Sequence, residues 1–187
     1  MSEQRERAWE LLCEYTTDEN LRRHALAVEA AMRAYANKLG GDVEEWGACG
    51  LLHDFDYQQF PTMENHPYRG AEILRARGYS EEFVNAVLSH ADYTGVPRET
   101  AMAKALFAVD ELTGFILAIA FVRPDRMIAN IEAKSVKKKM KDKAFARAVN
   151  REEIARGCEE LGIPFDEHVA NTVAALAGAA DRLGFPG

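Results

Sequence analysis

The chain has 187 residues, the size of one domain, and 48% of them are hydrophobic, enough to build a substantial core. Its formal net charge of -7 argues against general nucleic-acid binding. The first fifteen residues are charged and lack the apolar stretch of a secretory leader, and no unbroken apolar run reaches the roughly 18 residues of a membrane span. Cys13, Cys49 and Cys158 form neither a CxxC pair nor an even set. Together these features predict a cytoplasmic protein with reduced, buried thiols and no membrane partner.

The pattern reads as helix after helix. Alternating apolar and polar stretches are missing, and Val and Ile are few beside Ala and Leu. A first helix is expected over residues 3–15. Thr17 or Asp18 can cap a second, which runs to about Leu39 and stops at Gly40 and Gly41. Asp42 caps a third, with Glu45 in a capping-box-like position, ending near His53 and Asp54. Residues 55–65, which include Pro61, form a loop. Pro67 suits the first turn of a helix ending at Gly78, and Ser80 caps another that begins with Glu81 and Glu82. After a loop over residues 93–97, a long helix spans about residues 99–121. Its apolar second half, residues 112–122, is too short for a membrane and reads as buried. Pro124 restarts the chain, and three or four further helices follow, including residues 135–140, 150–161 and 166–183. The fold class is therefore all-α.

Four of the five histidines fall in one ordered series with two aspartates: His24, the adjacent pair His53 and Asp54, then His66, His90 and Asp110. Helical spacing turns several of them inward. His24 lies on the stripe Leu21, Ala25, Val28, Met32, Tyr35 and Leu39, and His53 follows Trp46 and Cys49. His90 shares a face with Phe83 and Val87, and Asp110 with Leu106 and Phe107. A lone inward histidine is more often a hydrogen-bonded core residue than a ligand. A charge on an inward face, however, is costly unless it is paired or bound to metal. Six imidazoles and carboxylates in a helix-by-helix series therefore point to a metal centre. The fifth histidine, His168, stands beside Asp166 and Glu167 and reads as surface. Lysines at 134, 137, 138, 139, 141 and 143 read first as a solvated helix face, with attraction of an anionic substrate as a secondary use.

These residues carry a resemblance. His24, the pair His53 and Asp54 within GLLHDFDY, and Asp110 within ALFAVDELTG resemble the pattern of the HD-domain superfamily of metal-dependent phosphohydrolases, over about residues 20–120. HPYRGAEIL, from His66, and VLSHADYTG, with His90, are similar to segments of members that add ligands for a second metal. Three departures stand out. Asp56 replaces the glycine of the common HDIG form, as either a turn residue or a support for a ligand. Ala91 follows His90 where members that cleave cyclic dinucleotides often have a second histidine. The GYP segment of that branch is also missing.

The resemblance implies a single domain, an HD helical bundle over about residues 18–122 with additional C-terminal helices over about residues 123–187. It implies one or two divalent ions, Fe, Mn, Co, Ni or Zn. His24, His53 and Asp110 would serve the first, His66 and His90 the second, and Asp54 would bridge. The implied activity is hydrolysis of a small phosphorylated substrate, nucleotides included, by a metal-bound hydroxide, with Asp54 central to catalysis. Arg69 is the candidate for reaching the phosphate, against the plainer reading of a surface ion pair. Glu111 either orients a ligand or is solvated, and Lys104 lies off the face of Asp110. Di-iron oxygenases of the myo-inositol oxygenase type are similar in their H…HD…H…H…D order and form the alternative enzyme class. A non-catalytic metal-binding regulatory module is the third reading. Oligomeric state leaves no signal in the sequence.

Overall fold

The computed structural model describes residues 2–187. They form ten α-helices with no strand among the described residues: α1 (Glu3–Tyr15), α2 (Glu19–Leu39), α3 (Val43–Leu52), α4 (Tyr68–Ala76), α5 (Glu81–Ser89), α6 (Ala101–Val122), α7 (Ala133–Met140), α8 (Arg151–Leu161), α9 (Phe165–Ala177) and α10 (Ala180–Leu183). Side chains that compete with the helical backbone start these helices. The Asp18 carboxylate accepts from the Asn20 and Leu21 amides, Asp42 from Glu44 and Glu45, Ser80 from Phe83, and Asn150 from Glu152 and Glu153.

α6 is apolar around most of its circumference and runs through the centre, with α2 and α8 packed against it and α3 packed mainly against α2. It is long and apolar enough to cross a membrane by length and composition, a property that Lys104, Asp110 and Glu111 hide in the sequence by interrupting the apolar run. Of its most apolar window, 67% is buried inside the fold. α8 approaches α6 closely because Gly157 has no side chain: a Cβ there would lie 2.6 Å from the Cα of Ala108.

Two expectations for the C-terminal part are corrected. The expected helix over residues 166–183 is broken after Ala177. Ala179 leaves helical geometry, with φ -113° and ψ 8°, and the turn lets α10 place Ala180, Leu183 and then Phe185 in the core. His168 is fully buried rather than on the surface. Its Nε2 bonds to the Ala108 carbonyl at 2.8 Å and its Nδ1 to the Tyr35 hydroxyl at 2.5 Å. A carbonyl can only accept, so Nε2 carries the proton and Nδ1 accepts from the tyrosine. Both ring nitrogens are thereby satisfied.

Candidate metal centre

The six residues of the sequence series meet at one place. α2 supplies His24, the end of α3 supplies His53 and Asp54, the start of α4 His66, the end of α5 His90, and the middle of α6 Asp110. Ligand atoms of His24, His53 and Asp54 lie within 4.8 Å of one another, and so do those of Asp54, His66 and His90. Asp54 belongs to both groups. Asp110 joins the first, its Oδ1 3.0 Å from His24 Nε2 and 3.4 Å from His53 Nε2.

Local backbone geometry sets the direction of the ring nitrogens. His53 and His90 each close a helix, and each directs Nδ1 at the carbonyl three residues earlier, Gly50 and Val87. A carbonyl accepts, so Nδ1 holds the proton and the Nε2 lone pair faces the cluster. His66 is held by Asp56, whose Oδ1 takes its Nδ1 at 2.8 Å while Oδ2 accepts the Gly70 amide at 2.8 Å. Asp56 stands in a turn and is fully buried, and its side chain is the support for a ligand. Gly70 is bare for the same reason: a Cβ there would stand 2.8 Å from the Asp56 carboxyl carbon. The HDFD spelling and the glycine of HPYRGAEIL are two halves of one contact.

Two atoms in this cluster are buried without any hydrogen-bond partner, His53 Nε2 and Asp54 Oδ1. His66 Nε2 and His90 Nε2 stand 3.2 and 3.1 Å from Asp54 Oδ1 as ion-pair neighbours. Burying polar atoms in this way costs free energy unless something else binds them. Protonation follows the same logic. Burial opposes ionisation of Asp54 and Asp110, yet the neighbouring histidines outweigh it and hold both carboxyls well below the usual range. Burial likewise opposes a charge on His66, but Asp54 and Asp56 overcome it and hold its pKa at about 9. The centre calls for positive charge, and its donors are all nitrogen and oxygen. That set fits a divalent Fe, Mn, Co, Ni or Zn ion.

The centre opens into a cavity of about 420 Å³. Its wall draws on the two loops expected from the sequence, through Tyr57 of residues 55–65 and Tyr93 of residues 93–97, and also on Asp92, Ala148, Val149 and Glu153, which the sequence does not single out. Tyr93 donates its hydroxyl to the His66 carbonyl, and Asp92 is held by Arg98 and Arg156. Ala148 and Val149 belong to a loop gathered around the Arg151 guanidinium, which donates to the carbonyls of Met140, Asp142, Phe145, Ala146 and Val149. Glu111 faces the cavity and accepts the Asn150 amide at 3.0 Å. Burial, and then the Asp110 charge, pushes its pKa up to about 7. Among the described residues no lysine or arginine lines this cavity. Arg69 is exposed and pairs with Glu72 at 2.9 Å, and Lys104 is also absent from the wall.

The chain can be set beside known proteins. Ribonuclease Y of Lawsonia intracellularis (strain PHE/MN1-00) is 34% identical over 97 residues, which is 51% of this chain and 18% of that protein. Ribonuclease Y of Thermosipho melanesiensis (strain DSM 12029 / CIP 104789 / BI429) is 37% identical over 73 residues, 38% of this chain and 14% of the relative. Ribonuclease Y of Geobacter metallireducens (strain ATCC 53774 / DSM 7210 / GS-15) is 31% identical over 97 residues, 51% and 18%. The chain spans less than a fifth of the length of these relatives. No solved structure gives a significant match. The family model described as "HD domain" matches residues 21–183. The chain belongs to the HD domain family, a superfamily of metal-dependent phosphohydrolases.

Proposed function

We propose that the chain is a phosphohydrolase whose centre holds two divalent ions sharing Asp54, and that its substrate is a small phosphate ester, nucleotides included. The observation that carries this reading is the pair of buried, unpartnered atoms, His53 Nε2 and Asp54 Oδ1, at the meeting point of two ligand groups. A divalent ion held there supplies a Lewis acid for a phosphoryl oxygen and makes water acidic enough to ionise at about pH 7. His24, His53 and Asp110 would hold one ion, and His66 and His90 the other. Asp56 keeps His66 in the tautomer that presents Nε2, and the Gly50 and Val87 carbonyls do the same for His53 and His90.

The cavity wall is acidic, with Asp92, Glu111 and Glu153 around the ligands. With no basic side chain lining it, recognition of the phosphate falls to the centre itself. Glu111 stands at its rim, its carboxylate accepting the Asn150 amide. The relatives are named as ribonucleases, so an RNA phosphodiester joins the candidate substrates, and the net charge alone does not remove it. The three free cysteines suit a cytoplasmic location.

The test is release of product from chromogenic phosphate mono- and diesters by protein loaded with Mn, Co, Ni, Zn or Fe, with Asp54→Ala as the control. Metal-dependent turnover that vanishes in the variant is the expected result. Oxygen consumption by the iron-loaded protein with a diol, and no ester cleavage, would replace this reading with the oxygenase. A protein that keeps its metal and does neither would be a regulatory module.

A further inference from the structure

The basic run around α7 is unused by the reaction centre, and its geometry is specific. Lys134, Lys137, Lys138 and Lys141 recur at i, i+3, i+4 and i+7, which puts all four on one helix face. They line a groove of about 450 Å³ together with Asp166 from the start of α9. Like charges at these spacings destabilise a helix, so the stripe works against its own secondary structure. Only Lys137 has a carboxylate partner, Asp166. Among the described residues Lys134, Lys138, Lys141, Lys143 and Arg147 make no ion pair, whereas Arg33, Arg75, Arg77, Arg98 and Arg123 all do.

Along the chain, the stripe is followed directly by residues that reach the reaction cavity. Residues 142–149 carry Lys143 and Arg147, both exposed, and end in Ala148 and Val149, which line the cavity. The acidic wall and the cationic approach are thus joined by one stretch of chain. A lone phosphate calls for one focus of charge. A face that repeats over seven residues, about 10 Å at roughly 1.5 Å per residue, instead suits successive phosphates along a strand. An anionic membrane suits it less, because the apolar side of α7, Val136 and Met140, is packed into the core and offers nothing to insert.

We propose that the α7 lysine face and the loop that follows it form a binding track for the phosphodiester backbone of a single-stranded oligonucleotide, leading its end to the acidic cavity. The track deepens the phosphohydrolase reading and rests on it only for what happens after binding. The lysines meet phosphates rather than bases, so binding is independent of base sequence and falls steeply with salt.

The test is fluorescence anisotropy of a labelled single-stranded RNA of about twelve nucleotides, with the full chain kept metal-free by EDTA. Wild-type protein is expected to bind at low salt with a dissociation constant of about 100 µM or tighter, the range of backbone-only binding. Lys134→Ala/Lys138→Ala/Lys141→Ala should weaken it at least about tenfold and lower the log–log salt slope by about 2, at roughly 0.7 for each phosphate left without its lysine. Its circular dichroism and its metal-dependent cleavage of a small chromogenic diester should be unchanged. Absence of wild-type binding, a triple variant with the wild-type constant and slope, or binding to phosphatidylserine vesicles in place of RNA would each overturn the track. Asp54→Ala should bind RNA as wild type does. Failed hydrolysis of every ester would therefore count against the proposed reaction and leave the binding result to decide the track.

Discussion

Two buried polar regions of this chain use the same residue types to opposite ends. Around α9, His168 is fully buried with both ring nitrogens bonded, and a short way along α2 the buried Glu29 carboxylate is met by Arg5 at 2.5 Å and Arg33 at 3.1 Å. Every charge there has an opposite neighbour. At the centre, His53 is just as buried, but only its Nδ1 is bonded, and Asp54 has a buried oxygen with no hydrogen bond, faced only by the ring nitrogens of His66 and His90. Burial of a histidine or a carboxylate therefore says little by itself. Whether the fold completes the polar group separates a structural residue from a ligand.

Removing the shared carboxylate tests that distinction most severely: Asp54→Ala should lose ester hydrolysis to background in a metal-loaded assay. Glu29→Ala should do the reverse. It removes the buried carboxylate that meets Arg5 and Arg33 and costs about 3–5 kcal/mol, read as a lowered urea midpoint, while metal content stays at the wild-type level. Asp56→Asn should fall between them. One amide oxygen cannot serve both His66 Nδ1 and the Gly70 amide, so metal affinity should drop by about 10- to 100-fold in a competition titration.

Loading should also depend on pH. His66 is held protonated up to about 9 by Asp54 and Asp56 in the metal-free centre, so an ion must displace that proton. Affinity should fall by about tenfold per pH unit for each proton displaced as pH drops from 8 to 6. Calorimetry in two buffers of different ionisation enthalpy would show the released protons.

The smallest expected effect belongs to His168→Gln, about 1–2 kcal/mol at pH 7.5 from imperfect replacement of its two bonds. Burial holds the His168 pKa below its ordinary value, so only the unfolded chain takes up a proton near pH 6.5. The stabilisation His168 gives is present above pH 6.5 and is lost as pH falls below it. The gap between wild type and variant should therefore narrow at pH 5.5. A gap that stays constant in urea titrations would mean that His168 can be protonated within the fold.

The sequence carried the helices and their starts, because Asp18, Asp42 and Ser80 compete locally with the backbone. It also carried the inward placement of His24, His53, His90 and Asp110, because helical spacing is a local property. It did not carry the break after Ala177. The Ala-rich run through Gly178 is an acceptable helix throughout, and only burial of Leu183 and Phe185 ends it. The charged neighbours of His168 point to the surface, although the buried face it shares with Thr172 and Leu176, at i, i+4 and i+8, is present in the sequence. The sequence leaves the role of Asp56 open because its partner, the Gly70 amide, is fourteen residues away. The loops that carry Tyr57 and Tyr93 to the cavity are visible in the sequence, but which of their side chains face it, and that Glu153 joins them from a separate helix, no periodicity reports.

Metal content measured on the freshly purified and reloaded chain, with Asp54→Ala and His168→Gln alongside, addresses the central claim most directly. The account predicts two divalent ions per wild-type chain, the same two in His168→Gln, and at most one weakly held ion in Asp54→Ala. Equal metal content in wild type and Asp54→Ala, or no ion in any of the three, would contradict it.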